Sequence, residues 1–151
     1  MRRAEIAEAS SLTALALRSK ASWGYDAAFM ALCRDELTVQ PAAIAKGEVW
    51  VAEDGGEIVG LLEVVPLGSS AEVRLMFVAP EHLGSGIGGA LWRHAEARAH
   101  ALGAIRIELD ADPNAVPFYE RMGMRIAGES PSGSIPGRSL PRMRKTLTLP
   151  K

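Results

Sequence analysis

The sequence predicts a mixed α/β domain of the α+β type, with elements in the order β-α-α-β-β-β-α-β-α-β-β. Three observations carry that expectation. Residues 48–78 hold strand-like runs broken by Asp54-Gly55-Gly56 and by Pro66-Leu67-Gly68-Ser69-Ser70. A helical period then runs from Ile87 to Leu102 and stops at Gly103. After it, short strand and helix patterns alternate to the end of the chain.

Each element follows from its local chemistry. Residues 2–8 alternate weakly and read as an edge strand. Ser10-Ser11 is an N-cap signal ahead of leucines and alanines at helical spacing from Leu12 to Leu17. Asp26 to Glu36 reads as a second helix with Phe29, Met30, Leu32 and Cys33 on its apolar side, after the aromatic turn Ser22-Trp23-Gly24-Tyr25. Strands are expected at 48–53, 58–65 and 71–78, the first two joined as a hairpin. Ile87, Leu91, Ala95 and Leu102 fall on one face of the long helix, which leaves His94 and His100 on its solvated side. Ile105 to Leu109 alternates as a strand, Pro113 to Met122 is a helix closed by Gly123, and strands are expected at 124–128 and 143–149 around a loop over 130–141. The long helix between two strands implies a central parallel pair.

Composition narrows the function classes. The 151 residues are 48% apolar and 23% charged, the mixture of one globular domain, and no linker or repeat divides them. Seventeen basic against eighteen acidic residues give a net charge of −1, so no global field attracts nucleic acid or an anionic membrane. The last fourteen residues carry five cations (Arg138, Arg142, Arg144, Lys145, Lys151) and no acid, which reads as a charged strand face. A single cysteine, Cys33, excludes an intrachain disulfide and a cysteine-based zinc site. No apolar run nears the roughly 18 residues of a membrane span, and the basic start Met1-Arg2-Arg3 lacks the apolar stretch of a secretory signal, so a soluble cytoplasmic protein is expected.

The richest motif is His82-Leu83-Gly84-Ser85-Gly86-Ile87-Gly88-Gly89, between a strand and a helix. Closely spaced glycines there present backbone N–H groups where the helix dipole favours anions, a setting for a pyrophosphate. The same residues satisfy G-x-G-x-x-G, with Glu108 about twenty residues on, as a dinucleotide-binding fingerprint would. Placement argues against a nicotinamide oxidoreductase. Five residues separate Val78 from Gly84, three strands precede the motif, and about sixty residues follow, too few for a doubly wound sheet.

Residues 72–124 resemble the acetyl-coenzyme A core of the GNAT superfamily of N-acetyltransferases. The resemblance rests on Arg74-Leu75-Met76-Phe77-Val78-Ala79-Pro80, on the loop ending Gly86-Ile87-Gly88, and on the run Asp112-Pro113-Asn114-Ala115-Val116-Pro117-Phe118-Tyr119-Glu120-Arg121-Met122-Gly123-Met124. It implies the GNAT fold, a mixed sheet splayed around the long helix, and transfer of an acetyl group from acetyl-CoA to a primary amine by direct attack in a ternary complex. The departure is Leu83, where the family usually carries Gln or Arg; backbone amides supply most of such an anion site.

The resemblance also implies roles. Met76 N–H would polarise the acetyl carbonyl, Val78 would pair its main chain with the pantetheine arm beside Phe77, and Leu83, Gly84, Ser85, Gly86, Ile87 and Gly88 would hold the pyrophosphate. Tyr119 occupies the position that protonates the departing thiolate, which a neutral phenol can do; packing alone would also explain an aromatic there. Asn114 would touch the cofactor or cap its helix. Glu72 stands six residues before Val78, where some members place a general base, and a solvated strand-start glutamate is the alternative. His82 reads as a surface residue. Trp23, Tyr25 and Asp26 form one candidate wall for the acceptor, and the Ser132–Arg138 loop with Arg138 the other. A non-catalytic module that binds coenzyme A or a metabolite remains the competing account. Exposed final strands suit a homodimer.

Overall fold

In the computed structural model, which describes residues 1–147, seven strands hydrogen-bond into one sheet. They are β1 (Arg2–Arg3), β2 (Val49–Asp54), β3 (Glu57–Leu67), β4 (Ser70–Val78), β5 (Arg106–Asp110), β6 (Arg125–Pro131) and β7 (Ser139–Thr146). Their spatial order is β1-β2-β3-β4-β5-β7-β6. The described pairings β1–β2, β2–β3, β5–β7 and β6–β7 are antiparallel, whereas β4–β5 is parallel. The helices are α1 (Ala9–Ala21), α2 (Ala27–Leu37), α3 (Pro41–Ala45), α4 (Ile87–Ala101) and α5 (Val116–Arg121). The expected element order is thus present, with α3 added. Pro41 at its first turn, where a missing N–H costs nothing, was the available signal.

Of the boundaries that move, three have a clear local reason. The first strand is two residues, not seven. After Ala4 N–H reaches Val49 O at 2.9 Å, Glu8 accepts from the Glu5 amide at 2.8 Å and pairs with Arg2, turning the chain into a 3-10 turn at Ile6–Glu8. Helix α5 begins only at Val116, because Pro113–Ala115 form a tighter 3-10 turn. The last strand starts at Ser139 rather than 143 and accommodates Pro141 opposite Glu129. Pro141 lacks an amide proton, but its carbonyl accepts from Ala111 N at 2.9 Å. The part of that strand expected at 148–149, and Lys151, lie outside the described residues.

The chain forms two compact units, through both of which β3, β4 and α4 run. One comprises Met1–Glu63 and Leu75–Leu91. Its core gathers Leu12, Leu15 and Ala16 of α1, Cys33 and Leu37 of α2, Val49 and Val51 of β2, Leu61 and Leu62 of β3, and Leu91. Leu32, expected on the apolar side of α2, is 56% exposed; Leu37 takes its place in the core.

The other unit comprises Val64–Arg74 and the chain from Trp92 onward. Trp92, Ala95 and Ala99 of α4, Ile107 and Leu109 of β5, Tyr119, Met124 and Met143 are buried there. Leu102 lies past the last turn of α4 and stays exposed, while His94 and His100 are half-buried rather than solvated. Burial lowers the pKa of His94 from its ordinary value, with Arg98 adding to the effect. Among the described residues no helix is long and apolar enough to cross a membrane.

Candidate active site

In the first unit the end of β4 leads directly into the glycine loop. Ala79 N–H donates to Val59 O at 2.8 Å, which ties the strand end to β3. Pro80–His82 then form a 3-10 turn, and Arg18 of α1 reaches Glu81 at 3.4 Å across an exposed surface. The His82 carbonyl accepts from Ser85 N at 3.2 Å and from the Ser85 hydroxyl. His82 therefore shapes the loop through its backbone.

Not every amide expected in the anion cradle points outward. Leu83 N–H donates to Pro80 O at 3.3 Å and Ser85 N–H to His82 O, so both are used within the loop. Gly84 and Gly86 adopt φ +81 and +88, the left-handed conformation that side chains resist. A Cβ at either would meet nothing within 4 Å, so backbone conformation and not space requires glycine. Helix α4 starts directly after them. The amides of Ile87, Gly88 and Gly89 belong to its first turn, where no intrahelical acceptor exists. These donors, the dipole and the open space above the glycines suit a phosphate group.

A residue absent from the sequence reading seats this helix. A Cβ on Gly60 of β3 would lie 3.0 Å from Leu91 Cδ1 and 3.3 Å from both Ile87 Cγ2 and Phe77 O. Gly60 lets the first turn of α4 lie against β3, and its position mid-strand was the signal. Met76 and Phe77 are half-buried and Val78 is buried.

In the second unit, Asp112 organises the start of α5. Its Oδ1 accepts from the Asn114 backbone N–H at 2.9 Å and from Asn114 Nδ2 at 3.0 Å, while Oδ2 lies 3.9 Å from Arg138 Nη2. Asp112, not Asn114, is the cap. The Asp-Pro dipeptide at a helix start was the legible signal. Arg138 also closes its own loop, since its carbonyl accepts from Ser132 N at 2.7 Å and the Ser132 hydroxyl accepts from Ser134 and Ile135 amides.

Tyr119 is buried, with its ring edge-on to Trp92 at 5.8 Å and to Phe118 at 5.3 Å. Burial, and secondarily the charge of Asp112, pushes its pKa well above the ordinary tyrosine value. The phenol is a neutral donor at any ordinary pH. A polar chain anchors its surroundings: Trp92 Nε1 donates to Glu96 at 3.0 Å, and Lys145 Nζ donates to Glu96 and, at 3.0 Å, to Met122 O at the end of α5.

Glu72 ends the parallel ladder described between β4 and β5, opposite Glu108. Such neighbouring carboxylates repel unless a cation lies between them. Arg142 Nη1 bonds Glu72 Oε1 at 2.6 Å and Asp110 Oδ1 at 3.1 Å, with its Nε 4.0 Å from Glu108. A guanidinium therefore faces the Glu72 carboxylate. Burial opposes the charge on Arg142, but its bonds to Glu72 and Asp110 outweigh this and raise its pKa. Glu108 is buried yet held below its usual carboxylate range, because Ser70, Arg144 at 2.9 Å and Arg142 overcome the burial penalty. Committed to this network, Glu108 is not poised as the ribose acceptor of a dinucleotide site.

The aromatic segment expected to form one wall for an acceptor sits in the first unit. Tyr25 stacks on Phe29 at 4.1 Å and carries Lys20 at 5.6 Å from its ring, whereas Trp23 is 46% exposed. Asp26 is exposed and caps α2 by accepting from Phe29 N at 2.8 Å.

With this strand order, glycine loop and capped 3-10 turn before α5, the class is that of acyl-transfer domains built on a mixed sheet. The chain belongs to the acetyltransferase (GNAT) domain family, whose model matches residues 26–147. The same fold is found in solved structures. One is the PaiA N-acetyltransferase of Thermoplasma acidophilum in complex with coenzyme A, at 17% identity, 97% coverage of both chains and a TM-score of 0.75. Another is the ribosomal-protein-alanine N-acetyltransferase of Brucella melitensis, at 23% identity, 97% and 98% coverage and a TM-score of 0.69. A third is an aminoglycoside 6'-N-acetyltransferase complexed with coenzyme A, at 20% identity, 100% and 97% coverage and a TM-score of 0.70. No curated protein resembles the chain closely enough in sequence to count as a match.

Proposed function

We propose that this chain is an N-acetyltransferase that moves an acetyl group from acetyl-CoA to a primary amine of a small molecule or peptide, by direct attack while both are bound. The observation that carries this reading is the start of α4, where first-turn amides follow two left-handed glycines with open space above them. Family membership and the coenzyme A held by two of the similar structures support it.

Acetyl-CoA supplies the activated acyl group. The residues of this chain would do the rest. The amides of Gly84, Gly86, Ile87, Gly88 and Gly89 would hold the pyrophosphate, with Leu83 and Ser85 shaping the loop. Met76 N–H would polarise the acyl carbonyl, Phe77 and Val78 would line the pantetheine arm, and Asn114 would contact it. Glu72 would take the amine proton and Tyr119 would donate one to the leaving thiolate. Trp23, Tyr25, Asp26 and Arg138 are the proposed acceptor contacts.

Thermal melting with coenzyme A, with NAD, and without ligand tests the binding half. A ligand at a hundred times its Kd adds about 2.7 kcal/mol, so coenzyme A should raise Tm and NAD should not. A shift with NAD alone overturns the assignment. Turnover is read as free thiol released from acetyl-CoA over an amine panel that includes tobramycin and a peptide beginning with alanine. A coenzyme A shift with no turnover on any amine would favour a non-catalytic binding module.

A further inference from the structure

We propose that Arg142 is a positioning residue for Glu72: reaching across β5 from β7, its guanidinium fixes the carboxylate that takes the amine proton. The proposal rests on the reading of Glu72 as that proton acceptor. It starts from strand register. Arg142 lies opposite Asp110, and Glu108 stands between Glu72 on β4 and Arg144 on β7. Arg144 and Arg106 both reach Glu108, at 2.9 and 3.7 Å, so that carboxylate has cations of its own. Glu72 has Arg142.

The geometry is that of a clamp. Asp110 holds the guanidinium at 3.1 Å from the intervening strand while Nη1 grips Glu72 Oε1 at 2.6 Å. Arg142 and Glu72 side chains are only 18% and 24% exposed, so the pair is shielded from the screening that empties surface ion pairs of value. Among the described residues nothing else bonds to the Glu72 carboxylate, which leaves Oε2 open to a proton or a bridging water. A glutamate has three rotatable bonds. Without the clamp, its side chain would sample rotamers away from the one that leaves Oε2 available.

The test uses the full chain, acetyl-CoA and the amine panel above. Glu72→Gln and Arg142→Met should each lower kcat about tenfold or more, while the KM for acetyl-CoA changes less than about twofold. The double variant should be no slower than Glu72→Gln alone, because the two residues act as one unit. Guanidinium ion added to Arg142→Ala should restore part of kcat. Asp110→Ala, which keeps Glu72 and Arg142 and removes only the anchor, should cost about threefold in kcat with KM unchanged. A double variant whose loss is the product of the two single losses overturns the positioning role and leaves Glu72 as the proton acceptor. Unchanged kcat in Glu72→Gln overturns that reading of Glu72, and this proposal with it. Should Arg142→Met fail to fold, an Asp110→Ala enzyme with unaltered kcat is decisive against the clamp.

Discussion

The ring of Tyr119 stands edge-on to that of Trp92, with centroids 5.8 Å apart and planes at 65°. Phe118 also meets the ring edge-on, and burial, with the charge of Asp112 second, raises the phenol's pKa. Tyr119→Phe keeps the rings and removes the proton. Steady-state kinetics should show kcat falling by roughly 10²–10⁴ with the coenzyme A thermal shift intact. An ordinary tyrosine would give the wild-type rate a falling limb near pH 10; the buried one moves that limb upward, so the rate should hold through pH 10. An unchanged kcat in Tyr119→Phe would reduce the residue to packing.

Trp92 itself is a stability prediction. It is 2% exposed and donates its indole N–H to Glu96. Trp92→Ala should cost about 3–5 kcal/mol in urea unfolding through the cavity it leaves. A loss under 1 kcal/mol would mean that the site collapses around the change.

Two glycines should behave differently because one is required by conformation and the other by space. Gly86→Ala places a side chain at φ +88 in open surroundings. It should cost about 1 kcal/mol or slightly more and abolish the coenzyme A thermal shift by re-aiming the amides. Gly60→Val places atoms against Leu91, Ile87 and the Phe77 carbonyl. It should destabilise by about 1–3 kcal/mol and displace the start of α4, weakening coenzyme A binding as well. Melting curves with and without coenzyme A separate the two.

Gly123 makes a third case. It combines φ +95 with a Cβ site 3.1 Å from Lys145 Cε, so Gly123→Ala is strained and also pushes on Lys145, which bonds to Glu96 and Met122 O. The expected cost is about 1–3 kcal/mol in urea unfolding. Full stability in this variant would show that Lys145 moves freely.

Acid should expose the Glu108 network. A carboxyl whose folded pKa lies below its unfolded value stabilises the fold above the unfolded pKa and loses that contribution as pH falls through the folded one. Glu108 is such a group, shifted down from 4.5. Stability should therefore decline as pH drops below about 4.5, and Glu108→Gln, less stable at neutral pH, should flatten that decline. Identical slopes for wild type and variant would assign the acid loss to other carboxylates.

Sequence by itself determined the element order apart from α3, and several of the places where glycine and proline act. Those signals are local: Gly84 and Gly86 before a helical period, Asp112-Pro113 at a helix start, and alternation in β2 to β5 all depend on neighbours a few positions away. Tertiary structure decided what the polar groups do. Glu72, Glu108, Asp110 and Arg142 are spread over seventy residues and meet only because β7 lies beside β5 and β5 beside β4. Gly60 looked like any strand glycine until α4 was laid against it, and Tyr119 acquired its raised pKa from burial and, secondarily, from Asp112. Backbone conformation is set by each residue and its near neighbours, whereas desolvation and ion pairing depend on which distant residues the packed chain brings within a few ångströms.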